Sequence, residues 1–185
     1  MSGNLIYVSG PSGSGKDSLL RYAREQLSGH VGICFAHRYI TRAADAGSEN
    51  HVALSPEEFA ARSSSDLFAL NWTSNGLQYG IGAEIDHWLD KGLTVVMNGS
   101  REYLPHARTR YPHLVPVEIA VPQAVLRERL LARGRETVEQ VEQRLRRNHL
   151  LEQRAGKVEI IRNDGDLGQA GEALVSLILR CAEPS

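Results

Sequence analysis

The sequence has little that would cross-link the chain or anchor it in a membrane. It contains two cysteines, Cys34 and Cys181, which lie far apart and fit no metal-ligand or redox spacing. We therefore expect a reduced, cytoplasmic protein. The apolar run before the first glycine-rich turn, Leu5–Val8, is too short for a signal peptide. No later apolar run is long enough to cross a bilayer.

An excess of charge of one sign is also missing. The formal net charge of the 185 residues is −1 at pH 7, so no global field favours nucleic acid or a membrane surface as a partner. Lysine is scarce, with three residues against eighteen arginines. The planar guanidinium group suits phosphate recognition, but a compositional bias towards arginine explains most of these residues equally well. Arginines are therefore informative only where they belong to a motif, and a small molecule is the expected partner.

Short apolar runs alternate with amphipathic segments along the chain. The predicted strands are Asn4–Ser9, Ile33–His37, Leu93–Met97, Val115–Val121 and Val158–Ile161. The predicted helices include one that ends near Leu27, then Ala83–Lys91, Pro122–Arg133, one that starts at Thr137 and Leu167–Cys181. This alternation predicts an α/β fold with a parallel sheet covered on both faces, in a single domain. Residues 38–82 interrupt it with short polar pieces, as an inserted acceptor-binding region would.

Two capping boxes mark helix starts within this pattern. Ser55-Pro56-Glu57-Glu58 has proline at the first helical position, and Thr137-Val138-Glu139-Gln140 precedes a segment rich in arginine. In each box the hydroxyl and the side chain three residues later can satisfy two backbone amides at a helix start. We therefore expect one helix inside residues 38–82 and another after residue 137.

The stretch "GPSGSGKDSLL", residues 10–20, has the spacing of a phosphate-binding loop. It follows a predicted strand and precedes a predicted helix, which is the context that the motif requires. Glycines let backbone amides curl around a phosphate, and the lysine reaches the phosphoryl group that is transferred. The predicted ATP-binding residues in the loop are Gly10, Pro11, Ser12, Gly13, Ser14, Gly15 and Lys16.

The position after the lysine departs from the motif, because a hydroxyl residue is usual there and this chain has Asp17. Ser18 follows one position later. Mg²⁺ favours oxygen ligands and keeps several waters, so either residue could serve the metal, directly or through water. Both are candidate nucleotide and Mg²⁺ ligands, and the sequence leaves the choice open.

A second group of arginines lies in "RLLARGRETVEQVEQRL", residues 129–145. Arg129 and Arg133 are four residues apart, which places them on one helix face, and Arg144 follows in the next helix. Gly134 permits a bend between the helices. Beside a phosphate-binding loop, this pattern favours a mobile lid over about residues 133–147 that neutralises charge during phosphoryl transfer. Two solvated helices with ordinary surface arginines are the alternative.

These motifs, together with "ITR", "QYG" and "RNDGDL", resemble guanylate kinase in order and spacing over almost the whole chain. The resemblance implies a P-loop NTPase fold of the nucleoside monophosphate kinase type, with three layers around a parallel sheet, and the use of ATP and Mg²⁺. It implies that Arg133 and Arg144 act in catalysis with Lys16. It also implies that Asn163 lies near the adenine of ATP, while Arg42 and Tyr79 hold the phosphate of the acceptor.

The departures from guanylate kinase fall on the positions that read the guanine base. Arg38 stands where that family has a serine, Leu70 where it has a glutamate, and Ile81 where it has a hydroxyl. Two aspartates after the central strand are replaced by Asn98 and Ser100. A guanine edge offers N–H donors that a leucine cannot accept. We therefore expect an acceptor other than a guanine nucleotide.

The segments "GKDSLL", "HRYITR", "GSENH", "YGIG" and "VVMNGSREYLP" resemble the ribose 1,5-bisphosphate phosphokinase family instead. This resemblance implies phosphorylation of ribose 1,5-bisphosphate to 5-phosphoribosyl 1-diphosphate, in phosphonate catabolism or NAD supply. An arginine in place of a base-reading serine suits an acceptor that carries a second phosphate. The candidate acceptor residues are Arg38, Arg42, His51, Tyr79, Asn98, Ser100 and Arg101.

Two other functions remain open at this point. One is a guanylate or other nucleoside monophosphate kinase with relaxed base choice, which the changed base-reading positions disfavour. The other is a catalytically silent guanylate kinase-like binding module, which the retained Lys16 and lid arginines disfavour. The residues do not indicate an oligomeric state or the preferred nucleoside triphosphate.

Overall fold

A computed structural model describes residues 3–46, 49–154 and 156–183 of the chain. The strands in these residues are β1 Leu5–Ser9, β2 Ile33–Phe35, β3 Arg38–Ile40, β4 Val52–Ala53, β5 Phe68–Ser74, β6 Leu77–Gly82, β7 Thr94–Asn98, β8 Val115–Ala120 and β9 Glu159–Arg162. The helices are α1 Lys16–Gln26, α2 Pro56–Ser64, α3 Glu84–Asp90, α4 Leu104–Arg110, α5 Gln123–Ala132, α6 Val138–Arg154 and α7 Leu167–Ala182.

The main sheet has five strands in the order β2-β7-β1-β8-β9, and every pair in it is parallel. Successive residues of β1 point to opposite faces, as the pleat requires. Ile6 and Val8 pack with residues of α1 and α7, whereas Leu5 and Tyr7 pack with residues of α3 and α4. The predicted parallel sheet covered on both faces is therefore confirmed. No helix in the described residues has the length and apolar character needed to span a bilayer.

Residues 38–82 form a smaller sheet with the order β4-β3-β6-β5, together with α2. β6 is antiparallel to both β3 and β5, while β3 and β4 are parallel. A hairpin joins β5 to β6 through Asn75 and Gly76, which both have positive φ angles of 50° and 76°. Asn-Gly is a strong hairpin signal that the periodicity analysis did not use. The insertion was predicted, but its sheet was not.

Both predicted capping boxes are present. Glu58 N donates to Ser55 Oγ (3.1 Å), and Ser55 N donates to the Glu58 carboxylate (3.0 Å). The side chains of Thr137 and Gln140 exchange the equivalent hydrogen bonds at the start of α6. The prediction that β2 extends to His37 is wrong, since the strand ends at Phe35. The short helix α4 was not predicted, because its single turn of buried residues has no cap.

The segment between α5 and α6 lies at the predicted lid. Gly134 adopts a positive φ of 61° there, a conformation that favours glycine. Below it, Leu126 and Leu130 of α5 pack against Val141 and Leu145 of α6 in a separate apolar cluster. The base of the predicted lid is thus held by apolar contacts, and its arginines lie on the side facing the main sheet's carboxyl edge.

Candidate active site

One cavity of about 620 Å³ lies at the carboxyl edge of the main sheet. Four parts of the chain line it: the glycine loop, the smaller sheet, the segment after β7 and the lid. The predicted site residues that line it are Gly10 through Ser18, Arg38, Arg42, Tyr79, Ser100, Arg101, Arg133 and Arg144. The structure thus brings together groups that are spread over most of the sequence. Four predicted residues lie behind this wall instead: His51, Asn98, Arg129 and Asn163.

The glycine loop leaves its backbone amides open to the cavity. Gly13 and Gly15 adopt positive φ angles of 91° and 83°. No side chain caps α1, so the amides of its first residues, Lys16, Asp17 and Ser18, have no acceptor within the helix. Open amides at a helix N-terminus bind phosphate oxygens well. The loop therefore fits the phosphate groups of a nucleotide.

Asn163 supports the glycine loop from below. It is buried, and its Nδ2 donates to the carbonyl oxygen of Ser14 (2.7 Å). A Cβ on Gly15 would lie 2.4 Å from Asn163 Nδ2, so only glycine permits this approach. Arg129 Nη2 donates in turn to the carbonyl oxygen of Asn163 (3.0 Å). In the structure, these two residues position the loop and do not line the cavity.

Lys16 lies among other charged groups. Burial lowers the pKa of its ammonium to about 8, and the Arg38 guanidinium lowers it further, against the raising effect of the Asp17 and Glu49 carboxylates. The cationic form is thus less favoured than in an unfolded chain, although it still predominates at pH 7. A phosphate oxygen at the loop would stabilise the ammonium and raise its pKa, because an opposite charge favours the charged form.

Glu49 is a central site residue that sequence reasoning missed. Its carboxylate accepts a two-point contact from Arg38, with Nε at 2.5 Å from Oε1 and Nη2 bound to Oε2. Arg42 Nη2 lies 3.5 Å from Oε2, and Asn98 Nδ2 donates to Oε1 (3.3 Å). Four donors therefore surround one nearly buried carboxylate. The motif "GSENH" contains this residue, but nothing local showed that it would face two arginines.

The charge state of Glu49 follows from these contacts. Burial opposes ionisation, but the hydrogen bonds and charge of Arg38, with Lys16 and Arg42, outweigh it and hold the pKa of Glu49 below its ordinary value. His51 completes the arrangement from behind, since its Nδ1 lies 3.3 Å from Arg42 Nη2 and its Nε2 lies 3.1 Å from the Arg42 carbonyl oxygen. In the structure, His51 therefore orients Arg42.

Asp17 and Asn98 provide oxygen atoms beside the glycine loop. Asn98 Nδ2 donates to Asp17 Oδ1 (3.2 Å), while Asn98 Oδ1 is buried without a partner. The described residues contain no group of three His, Cys, Asp or Glu side chains that could hold a metal. This sparse donor set fits Mg²⁺, which keeps several waters and is often bound through one carboxylate and substrate phosphates. The two candidate Mg²⁺ ligands, Asp17 and Ser18, both lie on the cavity wall.

A buried tyrosine sets the position of the segment after β7. Tyr7 Oη donates to the carbonyl oxygen of Ser100 (2.7 Å) and accepts from Ser100 N (2.9 Å). A Cβ on Gly99 would lie 2.2 Å from the Tyr7 ring, so only glycine lets the backbone pass this close to the ring. Ser100 and Arg101 therefore reach the cavity wall on a fixed stretch of backbone.

Arg101 ties this segment to the lid. Its Nη1 lies 3.3 Å from Glu118 Oε1 on β8, and its Nη2 donates to Asn148 Oδ1 on α6 (2.6 Å). Arg144 pairs with Glu136 at the start of the lid (2.6 Å). Arg133 has no ion pair with any of the described residues. Arg147 also lines the cavity and pairs with Glu102, so the lid presents two paired guanidinium groups and the unpaired one of Arg133 to the same space.

The positions that depart from guanylate kinase lie side by side. Arg38 faces Ile81 across the β3–β6 ladder, and Ile81 faces Leu70 across the β6–β5 ladder. Leu70 and Ile81 are fully buried. The two positions expected to have lost a base-reading group, Leu70 and Ile81, therefore form one contiguous patch next to Arg38.

Comparison with known proteins identifies the relatives of this chain. It is 57% identical over 176 residues to "Ribose 1,5-bisphosphate phosphokinase PhnN" of Thiobacillus denitrificans, covering 95% of this chain and 93% of that protein. It is 55% identical to the protein of the same name from Desulfomicrobium baculatum, covering 95% and 94%. The chain belongs to the ribose 1,5-bisphosphate phosphokinase family. No family model matches it.

A solved structure gives the fold of this phosphokinase family member independently. The crystal structure of guanylate kinase from Anaplasma phagocytophilum superposes with a TM-score of 0.69, covering all of this chain and 88% of that one, at 17% sequence identity. The predicted nucleoside monophosphate kinase-like fold is thereby confirmed. The chain is accordingly a phosphotransferase of a kinase family.

Replacing Lys16 by methionine should stabilise the ligand-free phosphokinase at neutral pH. The folded chain holds the Lys16 proton less tightly than the unfolded chain does, so the wild type gains stability as pH rises from about 8 to the ordinary lysine value. Lys16→Met removes the free-energy cost of keeping a charged ammonium group in this site below about pH 8. Denaturant unfolding in phosphate-free buffer should show a more stable variant at pH 7 and a smaller difference at pH 10. A less stable variant at pH 7 would contradict this assignment.

Replacing Glu49 by glutamine should destabilise the folded chain at neutral pH. The depressed pKa of Glu49 means that its contribution is present at neutral pH and is lost as pH falls below the ordinary carboxyl value. Glu49→Gln leaves Arg38 and Arg42 uncompensated and should cost about 3 kcal/mol of unfolding free energy at pH 7. The control is Glu142→Gln, which removes an exposed ion pair with Arg127 outside the cavity. Equal small losses in both variants would show that Glu49 is not a structural counter-ion.

Proposed function

We propose that this chain transfers the γ-phosphoryl group of ATP to the 1-phosphate of ribose 1,5-bisphosphate, which forms 5-phospho-α-D-ribose 1-diphosphate and ADP. The observation that carries the proposal is one cavity, in a member of this family, lined by a phosphate-binding loop with Lys16 and, across it, by Arg38 and Arg42. An acceptor with two phosphates and a small sugar matches a wall that offers cations and lacks base-reading groups.

The acceptor would lie between the smaller sheet and the segment after β7. Arg42 and Tyr79 would hold the accepting 1-phosphate, and Arg38 would hold the 5-phosphate. Glu49 already binds Nε and Nη2 of Arg38, so the remaining N–H groups of Arg38 would face the acceptor. Asn98 and His51 would support these groups through Glu49 and Arg42, while Ser100 and Arg101 would close the far wall.

Catalysis would consist of positioning and charge neutralisation. An oxygen of the acceptor's 1-phosphate is already ionised at neutral pH, so no strong general base is needed. As its bond to the γ-phosphorus forms, the bond from that phosphorus to the ADP oxygen breaks, and Lys16, Arg133 and Arg144 would neutralise the developing charge. When bound, ATP supplies the phosphoryl group and Mg²⁺ neutralises its oxygens. Residues 133–147 would close as a lid and exclude water.

The proposed setting is the cytoplasm, as part of phosphonate catabolism or NAD supply. The two cysteines are free in the structure and lie on separate elements, β2 and α7. ATP and a small sugar bisphosphate are the proposed partners. The predicted single domain would span residues 1–185, with the acceptor region at 38–82 and the lid at 133–147.

A coupled assay of ADP release tests the function directly. Ribose 1,5-bisphosphate, GMP and AMP are each supplied with ATP and Mg²⁺ at matched concentrations. We expect a kcat/KM for ribose 1,5-bisphosphate at least about a hundredfold above that for either nucleotide, since Leu70 and Ile81 are buried apolar residues at positions where a base-reading kinase has polar groups. Efficient phosphorylation of GMP with none of ribose 1,5-bisphosphate would support a nucleoside monophosphate kinase instead.

The Mg²⁺ dependence of the same assay separates the two candidate ligands. If Asp17 helps to hold the metal, Asp17→Ala should raise the Mg²⁺ concentration for half-maximal rate, and Ser18→Ala should change it less. We expect this order because a carboxylate is a stronger Mg²⁺ ligand than a hydroxyl group, and Asp17 lines the cavity. The reverse order would assign the role to Ser18. No effect in either variant would leave water and nucleotide oxygens as the ligands.

A further inference from the structure

An aromatic stack forms part of the acceptor side of the cavity. The indole of Trp72 stacks on Tyr79, with ring centroids 5.6 Å apart and an interplanar angle of 6°. It also stacks on Tyr103, at 5.2 Å and 23°. The guanidinium of Arg38 lies over the Tyr79 ring at 4.9 Å, and Tyr103 stacks on His106. The stack thus runs from Arg38 to His106 at the protein surface.

The indole stacks with both phenol rings. Tyr79 and Tyr103 each contact Trp72 but make no ring contact with each other among the described aromatic pairs. Trp72 is buried and lines the cavity together with Tyr79. A space bounded by two aromatic rings that can stack on its occupant is the kind of site in which a planar heterocycle is bound. Here a side chain of the protein fills that space.

The size of this side chain decides what it excludes. Indole and purine are both planar bicyclic rings of similar area, whereas ribose is not planar and needs no stacking surface. A nucleoside monophosphate whose phosphate is held by Arg42 and Tyr79 would direct its base along the wall that Trp72 occupies. We propose that Trp72 is a specificity-determining residue that takes the place of a nucleobase and so restricts the acceptor to a sugar phosphate. This inference rests on the proposed function.

Opening the space should create a purine site. Trp72→Val keeps a residue suited to β5 and removes the ring, and Trp72→Leu is a milder version of the same change. We expect either folded variant to bind GMP and AMP roughly tenfold or more tightly than the wild type, the order of magnitude of one base–aromatic stack. Uridine monophosphate should gain less, and ribose 5-phosphate, which has no base, should gain nothing.

The matched control is Trp88→Val. Trp88 lies on α3 and packs against the apolar cluster that contains Trp72, but it does not line the cavity. Its removal should therefore leave nucleotide affinity unchanged. Kd values are measured by titration calorimetry without ATP, and thermal melting checks that each variant is folded. Added indole should raise the melting temperature of Trp72→Val and not that of the wild type.

Two results would overturn the inference. One is an unchanged purine affinity in folded Trp72→Val or Trp72→Leu. The other is a wild-type Kd for GMP equal to that for ribose 1,5-bisphosphate. Such a result would show that Trp72 does not exclude a nucleobase. Turnover of ribose 1,5-bisphosphate by the wild type is measured in the same preparation. Its absence would contradict the proposed function, whereas the affinity measurements judge the role of Trp72 independently of turnover.

Discussion

Repulsion among the cations around one cavity is the constraint on which the rest of the structure depends. Lys16, Arg38, Arg42, Arg101, Arg133 and Arg144 all reach the same space, as binding several phosphates requires. Without an anion present, such a cluster destabilises the fold. Burial, and after it the charge of Arg38, lowers the pKa of Lys16, so this repulsion contributes to the shift.

Carboxylates from other elements offset much of this charge. Glu49 pairs with two arginines of the smaller sheet, Glu118 with Arg101, and Glu136 with Arg144. The pairing of Arg38 with Glu49 also fixes where the guanidinium points, because its two-point contact with the carboxylate is directional. The same carboxylates would repel a phosphate placed elsewhere in the cavity. Charge balance and orientation are therefore provided by the same contacts.

The main sheet explains why these groups meet. Parallel strands end at a common edge, so the loop after β1 and the segment after β7 come together although about 90 residues separate them in sequence. Tyr7 then fixes their spacing through its hydrogen bonds to Ser100. The smaller sheet adds a second wall, with Arg38 and Tyr79 on neighbouring strands and Trp72 beside them. The stacked rings make this wall rigid and apolar next to its charged part.

Local patterns in the sequence were sufficient to predict the parallel sheet, the glycine loop and both capping boxes, because each depends on residues close together in the chain. The resemblance of several motifs to known families, and the departures from it, pointed to Arg42 and Arg38, and both line the cavity. The second sheet was missed because its short strands show no clear periodicity, although Asn75-Gly76 marked its hairpin. The roles of Glu49 and Trp72 could not be predicted locally. A carboxylate becomes a counter-ion, and an indole becomes a wall, only through neighbours that the fold brings from distant parts of the chain.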